Sequence, residues 1–399
     1  MTNRWAVLAL IMAAQTMANV GPLGIPSIAP LIRENLGLSV TQAGSFLSAY
    51  YIGPVLMSLP AGWLADRWGV RGAMILGQVL IAAGLGAVAI APSFSFIATV
   101  LVLAGAGYGV LNPTTTKAGM AWFPPRQRAT VVGLKQVGLP FGGAIGAFIM
   151  PPLAIAFGWR TAVGVSGAVV GALALATWAL YRDLPEPATP GTAAGLPRPR
   201  FWAVIRNRDL WLVGVSTLIF AGVQTVFLAF LVLYLHEGVD IALVVAAKYL
   251  VAAQCSGALG RVGFGLLSDR LFGGQRRIVL AIAGLGSIAC ALALSITAPG
   301  TGPWVLVPLA VCIGFFGVGW NGVQHTLMAE LAGPRAAGTA VGLGLAISSL
   351  GVTVCPPIFG LVVERIGGFA AGWGALAAGM VVALLLLLPV RERAMATSW

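Results

Sequence analysis

Long stretches without a single charged residue constrain this chain more than any other feature of its sequence. They include residues 5–32, 72–116, 161–181, 210–235, 278–329 and 366–390. A helix that crosses a bilayer needs about 20 apolar residues, so the runs at 72–116 and 278–329 are each long enough for two helices. Hydrophobic residues make up 59% of the chain and charged residues 9%. Such a composition takes the bilayer as its solvent and excludes a soluble enzyme.

Turn residues divide the two longest runs, and the whole chain is predicted to form twelve spans. Pro92 splits the first long run, and a segment with Pro299, Gly300 and Pro303 splits the second. The spans are expected near 5–31, 42–65, 72–91, 95–121, 129–155, 159–181, 209–235, 241–267, 278–297, 303–329, 337–363 and 368–389. The first run is longer than the apolar core of a secretory signal, which is about 7–15 residues, and is interpreted as a span. The prediction is an all-α membrane protein with twelve transmembrane helices.

The basic residues predict the orientation of these spans. With twelve spans, both termini lie on one side of the membrane. If that side is the cytoplasm, only Arg33, Arg160 and Arg365 fall in outside loops. The positive-inside rule therefore places both termini in the cytoplasm, and we expect the inner membrane of a bacterium. The net charge of +12 is then a result of topology and of attraction to anionic lipid, and no nucleic-acid partner is expected.

The chain also shows an internal duplication. A stretch rich in Pro, Gly and Arg predicts a cytoplasmic linker over 183–208, between six-helix bundles at 1–182 and 209–399. The sequence GWLADR at 62–67 recurs as GLLSDR at 265–270, and at an offset of 209 Asn112 falls on Asn321. Several matches in register indicate two pseudo-symmetric halves.

Two motifs show a resemblance to a known family. The loop after the second span contains Gly62, Leu64, Asp66, Arg67, Gly69 and Arg71, and its weaker copy in the second half includes Arg276 and Arg277. With this loop the chain resembles the major facilitator superfamily of secondary transporters over essentially its whole length. The segment 105–128, with Tyr108, Asn112 and Lys117, is similar to the branch with organic-anion, cyanate-type and sugar-phosphate-type permeases.

This resemblance implies roles for charged residues near the inner surface. The loop residues would hold the cytoplasmic gate, with Asp66 at the N-terminus of a neighbouring helix. The gate set is Asp66, Arg67, Arg71, Asp269 and Arg270. Arg261 is expected to contact Asp269 or a helix end. The chain lacks the family's arginine near Leu101, and its fifth-span pattern GLPFGG at 138–143 has altered spacing. Exchange and symport therefore stay open.

The resemblance also implies that spans 1, 4, 7 and 10 line a central cavity. Polar residues on these spans are the candidate cargo contacts, and pairs spaced by four share a helix face. They are Gln15, Asn19, Tyr108, Asn112, Gln224, Trp320, Asn321 and Gln324. Hydrogen bonding between helices is the alternative role for any one of them.

The chain has only three lysines, Lys117, Lys135 and Lys248, and all lie within predicted spans. A cation in hydrocarbon costs about 2.5 kcal/mol or more, which makes such residues functional candidates. All eleven acids fall at span ends or in loops. The charge within the spans is therefore positive, and an anionic cargo is predicted.

The three lysines differ in context. Lys135, beside Gln136, is favoured as an anion contact. Lys248 is either a second anion contact or a side chain that extends to the surface toward Glu237 or Asp240. Lys117 lies nine residues from Tyr108, on the opposite face of the helix, and is the weakest candidate.

Together these features predict a secondary active transporter for a small organic anion. A carboxylate is favoured over a phosphate ester because clustered arginines are absent from the predicted cavity. Alternating access would be driven by proton symport or anion exchange, since no ATP-binding loop is present. His325 is a candidate for proton coupling, or a neutral histidine bonded to Asn321 or Gln324. No cofactor or metal is expected, because the cysteines occur singly in apolar helices.

Protons or a counter-anion, the lipid bilayer and the anion itself are the expected partners of a monomeric protein. Two other functions stay open. One is proton-driven efflux of neutral or lipophilic drugs, although the first span carries Gln15 and Asn19 rather than an acid. The other is a transporter-like membrane sensor that binds a ligand without moving it.

Overall fold

The computed structural model describes residues 3–57, 60–61, 64, 68–123, 125–183, 206–332 and 337–392. Regular structure in these ranges is helical throughout, and the all-α prediction is confirmed. The helices are α1 (Arg4–Leu36), α2 (Val40–Gly44), α3 (Phe46–Met57), α4 (Gly69–Val88), α5 (Phe94–Trp122), α6 (Pro125–Phe157), α7 (Trp159–Leu180), α8 (Arg208–Glu237), α9 (Leu243–Leu266), α10 (Arg276–Ile296), α11 (Pro303–Val318), α12 (Asn321–Ala332), α13 (Ala337–Val362) and α14 (Gly368–Leu387). π-helical turns at Leu267–Leu271 and Val363–Gly367 extend α9 and α13.

The helices account for all twelve predicted spans. Ten helical stretches among the described residues are long and apolar enough to cross a membrane. The last of them, Ala340–Leu387, contains the predicted eleventh and twelfth spans, which the second π turn joins. The second predicted span, 42–65, corresponds to α2 and α3, and residues 58–59 after α3 lie outside the described ranges. The predicted linker is likewise outside them from 184 to 205.

One predicted span is interrupted. The span expected at 303–329 forms α11 and α12, with a turn at Gly319 and Trp320 between them. Trp320 Nε1 donates a hydrogen bond to the Gly317 carbonyl, and Asn321 Nδ2 donates to the Val318 carbonyl. These side chains bind carbonyl oxygens of the preceding turn, and such local hydrogen bonds compete with the regular helix.

Local sequence explains where several helices begin and end. The Asn3 side chain caps α1, and Ser39 and Gln42 form a reciprocal capping box at α2. α1 ends at Gly37, whose φ of 62° lies in the left-handed region that glycine adopts without strain. α1 therefore continues past the predicted limit at residue 31 as far as its glycine stop.

Contacts divide the chain into two compact units. The first contains Met1–Pro185 and Leu228–Gln254, and the second contains Glu186–Phe227 and Cys255–Trp399. Within the first unit, the final turns of α8 and the first turns of α9 pack on the N-terminal helices. Phe230 lies against Gly44, and Gln254 lies against Gly143. The sequence repeat divides the chain at the linker, whereas contacts assign parts of α8 and α9 to the first unit.

Small residues permit close helix packing in the first unit. A Cβ at Gly105 on α5 would collide with the Tyr50 carbonyl oxygen of α3. A Cβ at Gly146 on α6 would collide with the Val20 carbonyl oxygen of α1. Close approach of backbones through small residues is the usual way that helices associate in membranes. It brings α1, α3, α5 and α6 together around the polar residues described below.

Candidate functional site

The first unit contains a polar cluster between α1 and α5. Gln15 Nε2 donates a hydrogen bond of 2.7 Å to the Tyr108 hydroxyl, and Asn19 Nδ2 donates one of 2.6 Å to the Gln15 carbonyl. Thr115 Oγ1 lies 3.4 Å from Gln15 Oε1. Gln15, Asn19 and Tyr108 are buried. The structure thus brings together three residues that the sequence placed on spans 1 and 4.

Tyr50 of α3 adds a member that the sequence analysis missed. It is fully buried, and its ring centroid lies 5.9 Å from that of Tyr108. Among the described residues, neither the Tyr50 hydroxyl nor Asn19 Oδ1 has a hydrogen-bond partner. Buried polar atoms are normally paired, so both atoms are available to a ligand or to water. The available signal was the pair Tyr50 and Tyr51 in a span that otherwise carries few polar groups.

Lys135 of α6 reaches across to α5. Its ammonium nitrogen donates three hydrogen bonds of 2.7 Å each, to the Asn112 carbonyl, to Asn112 Oδ1 and to Thr116 Oγ1. An ammonium has three N–H donors, so α5 occupies all of them. The side chain is fully buried. The side chain of Gln136, its predicted companion, lies outside the described residues.

Asn112 collects further hydrogen bonds just before Pro113. Its carbonyl also accepts from Thr115 Oγ1 at 2.9 Å and from Thr116 Oγ1 at 3.0 Å. The hydroxyls and the lysine therefore converge on one oxygen of α5. Asn112 itself is half-buried, so this end of the network reaches the surface of the unit.

Lys248 lies in a different setting from Lys135. It is exposed on α9, on the same helix face as Leu259 and Val262, which are 70% and 59% exposed. Leu266, eighteen residues after Lys248, lies on the same face and is 48% exposed. A stripe of exposed large apolar residues is typical of a surface in contact with lipid. This placement favours a side chain that extends to the membrane surface, while Lys117 is half-buried on α5.

The second unit has its own polar cluster around the break between α11 and α12. Asn321 Nδ2 donates a hydrogen bond of 2.9 Å to Gln224 Oε1 of α8. Trp320 is buried, with its ring centroid 5.3 Å from that of Phe220. Gln324 is buried, and neither atom of its amide is paired within the described ranges. His325 is half-buried and lies close enough to Arg261 for their charges to interact.

A family model described as the Major Facilitator Superfamily matches residues 5–351. The chain belongs to the Major Facilitator Superfamily. It is therefore a membrane transporter and not an enzyme, with the twelve-helix fold of that family. The resemblance found in the sequence is confirmed.

Relatives of known name agree with this assignment. The chain is 28% identical to an uncharacterised MFS-type transporter of Mycobacterium tuberculosis, over 97% of this chain and 85% of the relative. It is 27% identical to a probable sulfoacetate transporter of Cupriavidus necator, over 98% and 97%. It is 24% identical to a hexuronate transporter of Bacillus subtilis, over 89% and 86%.

Solved structures share the fold. A bacterial homologue of the human lysosomal transporter Spinster superposes with a TM-score of 0.77 at 19% identity, over 97% of this chain and 95% of that one. A nucleoside transporter superposes with a TM-score of 0.80 at 15% identity, over 98% and 100%. At these identities the likeness concerns the fold alone.

The superfamily loop is well defined in the second half. Arg276 Nη1 donates to the Asp269 carboxylate and, at 2.8 Å, to Ser268 Oγ. Its Nη2 lies 3.2 Å from Glu330 Oε1 of α12. Asp269 thus pairs with Arg276, whereas Arg261 lies near His325 and Arg270 is exposed. In the first half, Asp66 and Arg67 lie outside the described residues.

The inner ends of the two halves repeat one arrangement. The Asp183 carboxylate accepts from the Arg71 backbone N–H at 3.0 Å, and the Glu392 carboxylate accepts from the Arg277 backbone N–H at 2.6 Å. Each acid follows the last helix of its half and caps the first turn of α4 or α10, where the helix dipole favours negative charge. Burial raises the pKa of the Glu392 carboxyl, and its contacts with Arg277 oppose that rise.

Both arginines also bind the end of the last helix in their half. Arg71 Nη2 donates to the Trp178 carbonyl, and Arg277 Nη2 donates to the Leu388 carbonyl at 2.7 Å. Arg71, predicted as a gate residue, therefore ties α4 to α7. The repeated contacts add structural evidence to the duplication that the sequence indicates.

The opposite ends of the first unit carry a smaller polar network. Arg33 Nη1 lies 2.7 Å from Glu237 Oε2, which links the end of α1 to the end of α8. Arg160 Nη1 donates to Asn35 Oδ1 at 2.8 Å, and its Nη2 donates to the Ala91 carbonyl at 3.0 Å. Glu237, one of two acids expected near Lys248, is thus bound to Arg33.

Proposed function

We propose that this protein is a secondary active transporter for a small organic anion that carries a carboxylate or sulfonate group. The sign of the charge within the helices carries the proposal. Each acid in the described ranges lies at a helix end, in a π turn or in a connecting segment. Lys135, by contrast, is fully buried in the interior of α6. A cation held in this way favours the entry of an anion and opposes that of a cation.

The names of two relatives support the same chemical class. A sulfoacetate transporter and a hexuronate transporter both move small acids. We therefore infer a cargo with one strongly acidic group on a small polar carbon skeleton. Such a cargo needs hydrogen-bonding groups for its skeleton in addition to a positive field for its charge.

The polar clusters supply hydrogen-bonding groups for the carbon skeleton of the anion. In the first unit, the Tyr50 hydroxyl and Asn19 Oδ1 offer a donor and an acceptor beside Gln15 and Tyr108. In the second unit, the Gln324 amide is unpaired among the described residues, on the helix that also carries Asn321. We propose that the cluster of the first unit contacts the cargo, where Lys135 acts mainly through its charge, and that the cluster of the second unit is a separate candidate contact. Lys248 is assigned to the membrane surface.

The cycle and the cellular setting belong to the proposal too. We infer alternating access, with proton symport or anion exchange as the driving process. Both termini in the cytoplasm fit the distribution of its arginines, and we infer that the protein is a monomer in the inner membrane of a bacterium. His325, beside Arg261, stays a candidate for proton coupling in the second unit.

Uptake by purified protein in lipid vesicles tests the proposal. Vesicles loaded with unlabelled glucuronate or sulfoacetate should exchange it for the same labelled anion outside. Glucose, which lacks the acidic group, and a lipophilic cation serve as matched probes and should not exchange. Exchange of the neutral or cationic probe alone would favour drug efflux. Tight anion binding without any flux would favour a sensor.

A further inference from the structure

The surroundings of Lys135 are unusual for a buried ammonium. Its three partners are two oxygens of Asn112 and the hydroxyl of Thr116, and none of them is a carboxylate. Buried charges are normally paired with an opposite charge. Among the described residues, the positive charge is therefore held by neutral dipoles, and a bound anion would be its natural counter-charge.

The neighbouring helices bring few ionisable groups toward this lysine. α1 packs Gln15 and Thr16 against Gly138 of α6, and both are neutral. α9 packs Gln254 against Gly143, and it is neutral as well. α5 carries Tyr108, four residues before Asn112, and Lys117, next to Thr116. Arg126 and Arg128 begin α6, with side chains outside the described residues.

The site can satisfy the lysine in both of its protonation states. The charged ammonium donates three hydrogen bonds, as observed. A neutral amine has two N–H donors and one lone pair. The two Asn112 oxygens can accept the two donors. Thr116 Oγ1 can then turn its hydrogen, which now points to the Asn112 carbonyl at 3.0 Å, toward the nitrogen lone pair. Loss of the proton therefore leaves no polar atom of the lysine unpaired.

A hydrogen-bonded array links this site to the proposed cargo residues. Asn112 is bonded to Thr115 at 2.9 Å, and Thr115 lies 3.4 Å from Gln15 Oε1. Gln15 is in turn bonded to Tyr108 at 2.7 Å. Polar groups in such chains polarise one another. A change of charge at Lys135 can reorient the single hydroxyl hydrogen of Thr115, for which the Leu111 carbonyl, the Asn112 carbonyl and Gln15 Oε1 are alternative acceptors.

We propose that Lys135 carries the coupled proton of an anion–proton symport. This inference rests on the proposed function. The Lys135 amine takes up one proton on the side where the anion is loaded, and the nitrogen lone pair forms the new N–H bond. The resulting ammonium balances the bound anion. When the anion leaves on the other side, the cation has no counter-charge and releases the proton there, so one proton crosses with each anion.

The test separates coupling from transport itself. Purified protein in vesicles is assayed with labelled glucuronate or sulfoacetate, both for exchange against the same internal anion and for accumulation driven by a pH gradient. Lys135→Gln keeps a polar side chain that cannot gain a proton. We expect it to lose accumulation at least tenfold and exchange by a smaller factor, because the neutral side chain no longer attracts the anion while the polar cluster between α1 and α5 still binds it. Its exchange should also no longer vary with pH.

Two further variants provide a control and an independent test. Lys117→Gln removes a lysine from the facing helix and should leave accumulation unchanged. Thr116→Val removes a hydroxyl that binds the charged ammonium more strongly than the neutral amine, so the pH midpoint of its uptake should fall by about half a unit or more. This variant also provides a test if Lys135→Gln does not fold.

Several outcomes would overturn the proposal. Accumulation by Lys135→Gln at the wild-type level, or an unshifted pH midpoint in Thr116→Val, would place the coupled proton elsewhere. Equal loss of exchange and accumulation in folded Lys135→Gln would make the lysine a cargo contact. Wild-type exchange without pH-driven accumulation would refute coupling but leave the proposed function intact. Absence of any wild-type anion flux would instead refute the proposed function, and the symport with it.

Discussion

Equivalent positions of the two halves carry different chemistry. At an offset of 209, Asn112 and Lys135 of the first half correspond to Asn321 and Gly344 of the second. Asn112 accepts two hydrogen bonds from the buried lysine, whereas Asn321 donates one to Gln224. At Gly344 an added Cβ would lie 3.1 Å from Gln324 Nε2, so other side chains fill the space that a lysine would need.

The inner ends of the halves show the opposite behaviour. There the carboxylate caps of α4 and α10 and their arginines are repeated almost contact for contact. The repeat therefore preserves the contacts that hold these helix ends in both halves, whereas the polar residues of their interiors have changed.

The largest effect is expected when the lysine is copied into the second half. In Gly344→Lys the added Cβ would lie 3.1 Å from Gln324 Nε2 and 3.2 Å from Met328 Cε, so the buried lysine must displace these side chains. An unpaired buried charge should cost about 3–5 kcal/mol of unfolding free energy. Denaturant unfolding in detergent measures it. Gly342→Lys, at an exposed position with open space, is the matched control and should change stability little.

The next prediction compares the two asparagines. Asn112→Leu removes an acceptor from a buried cation and should cost about 1.5–3 kcal/mol, because hydrogen bonds to charged groups are strong. Asn321→Leu removes a neutral hydrogen bond to Gln224 and should cost about 1 kcal/mol. Denaturant unfolding in detergent measures the loss of unfolding free energy in both variants. Equal losses would contradict the view that a buried cation distinguishes Asn112 from Asn321.

The repeated caps should respond alike. Asp183→Ala and Glu392→Ala each remove a carboxylate from the first turn of a helix, and each should lower the unfolding free energy by about 1 kcal/mol. Thermal unfolding of the two variants and of the double variant checks this. A large loss of unfolding free energy at one cap and none at the other would show that the two halves do not share this arrangement.

The smallest effect is expected at the ion pair of Arg33 and Glu237. Both side chains are partly exposed, at 34% and 24%. Exposed pairs contribute about 0–1 kcal/mol and are screened by salt. Glu237→Gln should therefore unfold close to the wild type, and high salt should remove what difference remains. A loss that persisted in high salt would show that the pair is buried more effectively than its exposure suggests.

Hydropathy predicted the helices well because each span must bury a full row of apolar residues in lipid. The span predicted at 159–181 is α7 at Trp159–Leu180, and that at 95–121 is α5 at Phe94–Trp122. It did not predict the break at Gly319, because that break depends on hydrogen bonds from Trp320 and Asn321 to the preceding turn.

The candidate site was predictable in outline only. Spacing by four placed Gln15 with Asn19, and Tyr108 with Asn112, but no local pattern shows that Tyr50 packs against Tyr108. Lys135 stood out as a cation among apolar residues. Its complete pairing with α5 depends on the distance between two helices, which their small residues set.

The sequence by itself determined that this protein is helical, duplicated and embedded in a membrane, because charge-free runs and a repeated loop leave no other solution for the backbone. Only the tertiary structure decided what the polar residues do. It buries Lys135 among neutral oxygens, exposes Lys248 beside apolar residues and packs Gln324 and Met328 against Gly344 in the equivalent place. The physical reason is that the fate of a charge in a membrane depends on the atoms within hydrogen-bonding distance, and these come from other helices.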